Sequence, residues 1–247
     1  MNFKIEICVD SIESALNAQA AGADRIELCG NLLEGGTTPG YGTIESVRNN
    51  LTIDVNVIIR PRGGDFFYSD YEYDIMRREI DICGECGVNG IVLGILDPCG
   101  SVDVERTARL IECARPMSAT FHRAFDMCSD PVKGLEDVID SGADRLLTSG
   151  QKDNAQEGAE IISRLVNLAK KRIIIMPGGG INESNIVLIA KATGAKEFHS
   201  TCRKVIDSEM IFRRDGISMG APGSQEFTRK TADPEKIANL ISILRAI

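Results

Sequence analysis

The sequence predicts an α/β protein of the (β/α)8 TIM-barrel class. Three observations carry that prediction: eight short apolar runs alternate with helix-like segments, one helix-to-strand joint recurs, and no linker interrupts the alternation. The joint is "AGADRIELCG" at Ala21 to Gly30, repeated as "SGADRLLTSG" at Ser141 to Gly150 and more loosely as "TGAKEFHSTC" at Thr193 to Cys202. "CGVNGIVLG" at Cys86 to Gly94 is a fourth echo. Each copy closes a helix with glycine and enters an apolar strand, the αβ joint of a parallel sheet. Eight such units in 247 residues match a closed barrel, whereas an open doubly wound sheet usually has fewer strands. One domain over residues 1–247 is expected.

The predicted strands, in order, are Lys4 to Val9, Arg25 to Cys29, Val55 to Arg60, Gly90 to Leu96, Ser118 to Phe125, Arg145 to Ser149, Arg172 to Met176 and Glu197 to Cys202. The helices between them have recognisable starts. "SDYE" at Ser69 to Glu72 is a capping box, and Asp130-Pro131 and Asp233-Pro234 each put a cap residue before proline at the first helical position. Residues 204–232, after the eighth strand, are weakly periodic and include "RRDGISMGAPG". A loop of that length is expected to lie over the C-terminal mouth, as lids and binding loops do.

Composition narrows the function. Acidic residues outnumber basic ones, 36 to 28, for a net charge of −8, and no Lys/Arg-rich block is present. That balance disfavours nucleic acid and anionic membranes as partners. The chain shows neither a charged leader with an apolar run nor a continuous apolar span, so a cytoplasmic location is expected. The eight cysteines are scattered at irregular spacing in a chain large enough not to need disulfides, and most are expected as free thiols.

A barrel of this class carries its site at the C-terminal ends of the strands, so inward residues there are the candidates. If the more apolar face of each strand meets the helices, the first strand leaves Glu6 and Cys8 inside and the second Glu27 and Cys29. The third leaves Asn56, Arg60 and Arg62, and the fifth Thr120 and His122. Strand eight is ambiguous, with His199 on one face and Ser200 and Cys202 on the other. Glu-Ile-Cys in one strand beside Glu-Leu-Cys in the next predicts two thiols at matching heights, Cys8 and Cys29. Two thiols suit a soft monovalent ion such as Cu(I), or are small buried hydrophobes in a tight barrel end. Glu6 and Glu27 need partners if buried: Arg60 either neutralises them structurally or shares with Glu27 and His122 an acid–base site.

Weaker signals flank this set. "RPRGGDFFYSD" brings Arg60 and Arg62 to the mouth as an anion clamp, and "PGGGI" offers the amides of Gly178, Gly179 and Gly180 to a phosphate. Cys83 and Cys86 form a C-x-x-C at a helix C-terminus, the wrong end for redox activation, and read as structural. No lysine lies at a strand's C-terminal end, which disfavours Schiff-base chemistry. The two histidines fit neither H-x-H nor H-E-x-x-H, and no nucleotide cofactor is expected.

"CVDSIESALNAQAAGADRIELCG", "EGGTTPG", "IRPRGGDFFYSD", "TFHRAFDM", "RLLTSGQ", "PGGGI" and "EFHSTCR" together resemble the CutC family of copper homeostasis proteins, from Ile5 to the C-terminal helix. The resemblance implies a cytosolic barrel, a homo-oligomer, and a link to copper. In members assigned Cu(I) binding the ligands are a first-strand cysteine and the cysteine of "ELC", which match Cys8 and Cys29 here. The residues of this chain expected around such a pair are Glu6, Thr120 and His199. Two functions stay open: Cu(I) binding by that pair, or a lyase, isomerase or hydrolase acting on a small anionic or sugar-like substrate. The enzyme would use Glu27 and His122 as acid–base groups and Arg60 as clamp.

Overall fold

A computed structural model describes residues 3–214, 216, 217, 219 and 225–247. Eight parallel strands form a nearly closed barrel: β1 (Lys4–Val9), β2 (Arg25–Leu28), β3 (Asp54–Ile58), β4 (Gly90–Leu93), β5 (Ser118–Phe121), β6 (Arg145–Thr148), β7 (Ile174–Pro177) and β8 (Glu197–Ser200). Hydrogen-bonded ladders run in sequence order from β7 back to β1, and β8 then pairs with β1. Helices α1 (Ile12–Ala20), α2 (Tyr41–Asn50), α3 (Asp70–Glu85), α4 (Val104–Ala114), α5 (Pro131–Asp140), α6 (Ala159–Ala169), α7 (Ile186–Thr193) and α8 (Pro234–Arg245) follow the strands in turn. The expected caps form: Ser69 and Glu72 make the reciprocal capping box of α3, and the Asp130 and Asp233 carboxylates accept amide N–H bonds at the starts of α5 and α8.

Alternation decides what each strand does. Ile5, Ile7, Ile26, Leu28, Val55, Val57, Ile91 and Leu93 are buried against the helices, each worth roughly 1.5–3 kcal/mol of burial free energy. The opposite parity points into the barrel and is largely polar. At its lower level Arg25 donates to Glu6 and, at 2.6 Å, to Glu197, while Arg145 donates to Glu197 at 2.8 Å and to the Thr120 hydroxyl at 3.1 Å. Asn56 adds a 3.0 Å bond to Glu6. This ionic floor, rather than an apolar plug, closes the barrel beneath the mouth.

Two expectations are revised. The fifth strand ends at Phe121, because the His122 imidazole accepts the Ala124 N–H and caps a 3-10 turn over Arg123–Met127. Residues 204–232 begin and end as strand: β9 (Arg203–Asp207) pairs antiparallel with β10 (Thr228–Ala232). The base of this ribbon docks on α1, where the Ser14 hydroxyl meets that of Thr231 at 3.2 Å and Asn17 donates to the Ala232 carbonyl. Among the described residues of the segment none lines the central cavity, and Met210, Ile211 and Phe212 face solvent. The "RRDGISMGAPG" stretch lies partly outside the described residues.

Candidate metal centre at the barrel mouth

The C-terminal ends of the strands surround a cavity of about 400 Å³, whose walls include Cys8, Glu27, Arg60, His122 and His199. A shallower depression of about 660 Å³ between α6 and α7, lined by Ser163, Asn167 and Ala192, holds no comparable cluster. Strand eight presents His199 to the cavity, and the Ser200 hydroxyl donates to the Ile181 carbonyl at 2.7 Å.

The register places Cys8 opposite Glu27, not opposite Cys29, so the two cysteines stand at different heights on their strands. Their thiols nevertheless meet, Sγ to Sγ 3.5 Å, because the Cys29 side chain lies between Cys8 and Gly36. Cys8 and Cys29 share a small apolar cluster with Ile58 and Val92, and of the two cysteines Cys8 faces the cavity while Cys29 lies behind it. Cys8 Sγ, a Glu27 oxygen and a His199 nitrogen all lie within 4.8 Å of one another; Cys8 and Glu27 are buried and the His199 side chain is 12% exposed. His199 Nε2 is 2.6 Å from Glu27 and 4.0 Å from the otherwise unpartnered Oε1 of Glu6.

Electrostatics tie the cluster together. Burial alone would lower the His199 pKa, but its contacts with Cys8 and Glu27 outweigh that and hold it well above the ordinary histidine value. The Cys29 thiol is pushed well up, first by its contact with Cys8 and then by burial. Glu6 is held below its usual range although burial opposes this, because Arg25, His199 and Arg145 favour its charged form. The converging donors are thus one sulfur, one imidazole and one carboxylate, with the Cys29 thiol behind the first; sulfur and imidazole fit a soft cation.

Other predicted residues are placed differently. Thr120 belongs to the ionic floor through Arg145, not to the surroundings of the thiols. The Arg62 guanidinium is spent on Glu72, Asp65 and carbonyls of its own loop and does not line the cavity. Gly178 gives its N–H to the Thr148 carbonyl, while Gly179 and Gly180 do reach the wall. The C-x-x-C behaves as read: burial raises the Cys83 thiol to about 12. The sequence reading missed Arg25 and Arg145, although Arg25 shares the parity of Glu27 and Cys29 and had to point the same way. It also missed Asp126, which accepts from Arg123, Thr148, Ser149 and Gln151 and knits the loops after β5 and β6. No alternation marks a residue on a 3-10 turn.

His122 fits only because position 94 is glycine. A Cβ there would stand 2.6 Å from His122 Nδ1 and 3.0 Å from the Ala124 Cβ. Gly94→Ala should displace the ring and cost roughly 1–3 kcal/mol of stability, read as a lower urea midpoint with an altered His122 resonance. An unchanged midpoint and resonance would mean the ring is not held there.

Fold and site define a class: a (β/α)8 barrel with a buried thiol, imidazole and carboxylate cluster at its mouth. The CutC family profile matches residues 3–204, and the chain belongs to the CutC family. A CutC family protein of Chromobacterium violaceum is 47% identical over 236 residues, covering 96% of each chain. The human copper homeostasis protein cutC homolog is 46% identical over 246 residues, 99% of this chain and 90% of the human one. The crystal structure of CutC from Streptococcus agalactiae superposes with a TM-score of 0.77 at 36% identity, covering 81% of this chain and 98% of that one. Phosphoribosylanthranilate isomerase of Pyrococcus furiosus shares the fold alone, with a TM-score of 0.59 at 12% identity over 99% of this chain and 100% of that one.

Proposed function

We propose that this chain binds Cu(I) as a copper homeostasis protein, with Cys8 and Cys29 as sulfur ligands and His199, its ring proton released as the ion binds, as the adjoining nitrogen donor. The observation that carries the reading is the 3.5 Å thiol contact beside His199 and Glu27 at the edge of an accessible cavity. Thiolates and imidazole are the donors Cu(I) prefers, whereas Glu27, a hard ligand, serves better by orienting the His199 ring. The copper homeostasis function named for the human relative agrees with this donor chemistry. A cytosolic setting belongs to the same reading, since free thiols and Cu(I) both need a reducing compartment. Titrating the reduced protein with Cu(I) against a competing chelator tests it. Tight binding of a single equivalent that is lost in Cys8→Ser and weakened in Cys29→Ser is the expected result; variants that bind as the parent does would refute the assignment.

A further inference from the structure

The cavity has a second wall that the thiol cluster does not use. In the eight-strand ring β5 lies across from β1, and His122 at the end of β5 lines the cavity with Arg60 and Phe66. His122 Nδ1 accepts the Ala124 N–H at 3.2 Å, which places the ring proton on Nε2. That Nε2 is buried and has no hydrogen-bond partner among the described residues. The residue is only 4% exposed, so the donor can be satisfied only from within the cavity.

Arg60 is the second half of the observation. Its terminal nitrogens donate to the carbonyls of Glu34, Gly36 and Gly64 at 2.8–2.9 Å, and its Nε is buried without a partner. Three guanidinium groups line the cavity. Arg123 pairs with Asp126 at 2.7 Å and Arg203 approaches Asp10 at 4.0 Å, but Arg60 has no carboxylate at ion-pair distance among the described residues. At 5% exposure it is a buried cation compensated by backbone dipoles, the neighbouring Tyr68 hydroxyl and the Phe66 ring, whose centroid lies 5.0 Å from the guanidinium carbon, none of them an anion. A buried charge in that state calls for an anion.

We propose that His122, Arg60 and Phe66 form a carboxylate subsite, in which a small organic acid accepts the His122 Nε2–H bond beside the Arg60 guanidinium. Ile58, Phe66 and Leu147 give its carbon chain an apolar bed. Both polar groups are donors, so the head group is an acceptor. Burial, followed by the Arg60 charge, lowers the His122 pKa to about 3, so the ring brings no charge of its own. Arg60 is therefore the one charge among the three subsite residues, and with the Glu27 and Glu34 carboxylates lining the same cavity it matches a monoanionic carboxylate better than a phosphate dianion. The Phe66 ring packs against both donors, its centroid 5.0 Å from that of the imidazole as well. This assignment is independent of the metal reading, because it uses none of Cys8, Cys29 and His199.

The chain has two histidines, so side-chain nitrogen NMR reports each wall separately. Acetate, butyrate and glutarate are titrated into the full-length reduced protein, with inorganic phosphate as the comparison. A saturable shift of the His122 Nε2 resonance with His199 unmoved is expected, together with thermal stabilisation by the same acids. Arg60→Lys, which keeps the charge, should weaken binding at least about 10-fold, and His122→Phe should abolish the stabilisation. The proposal is overturned if no acid moves His122, if the stabilisation survives in a folded His122→Phe protein, or if phosphate binds the same residues more tightly.

Discussion

Cys8→Ser is expected to weaken Cu(I) binding at least about 100-fold, since changes merely around a metal ligand already cost about 10- to 100-fold. The effect should exceed that of Cys29→Ser, because Cys8 combines three contacts in one atom. Its sulfur faces the cavity, touches Cys29 at 3.5 Å and lies within 4.8 Å of His199 and Glu27. Cys29 stands behind it, and serine there leaves one thiol and one imidazole still facing the ion. Competition titration of the two variants checks the order. Equal losses would mean that both sulfurs bind alike, and a larger loss in Cys29→Ser would contradict the placement of Cys8 as the cavity-facing donor.

The second large effect concerns stability. Arg25→Met should cost about 3–5 kcal/mol and lower the melting temperature by roughly 10 °C at neutral pH. Methionine keeps much of the side chain's length but leaves Glu6 charged and buried, with Asn56 as its remaining hydrogen-bond donor. Glu197 is less affected, since Arg145 still reaches it at 2.8 Å. Adding Glu6→Gln to Arg25→Met should recover part of the loss, which separates a stranded charge from poor packing. The pH dependence has a definite sign. Folding holds the Glu6 and Glu197 pKa values below the ordinary range, for both against the opposing effect of burial and through Arg25 above all. Their stabilisation is therefore full above the unfolded value of about 4.3 and fades as pH falls through the lower folded values. The gap between parent and Arg25→Met should accordingly narrow below pH ~4; a constant gap across acid pH would assign the loss to packing instead.

The barrel was legible because the "GADR" joint and its echoes repeat a local physical event, a glycine-closed helix entering an apolar strand, and eight alternating strand–helix units have one natural closure. Strand alternation likewise brought Glu6, Cys8, Glu27 and Cys29 inside, as the buried side chains are found. Register was not legible. Adjacent barrel strands are staggered, so Cys8 stands opposite Glu27, and the thiols meet through the packing at Gly36 that no spacing in the sequence encodes. Arg62 shows a second limit: a guanidinium at a strand end is equally able to serve a ligand or its own loop, and here it caps Phe67 and Asp65. Thr120 and Arg145 show a third, since a residue's parity gives its face while its height in the barrel decides whether it joins the site or the floor.

Copper K-edge X-ray absorption of the protein loaded with one equivalent of Cu(I) tests the central claim most directly. The account predicts a coordination shell dominated by sulfur, with a lighter imidazole contribution, that loses sulfur scattering in Cys8→Ser. A shell of nitrogen and oxygen alone, or one unchanged by Cys8→Ser, would contradict it.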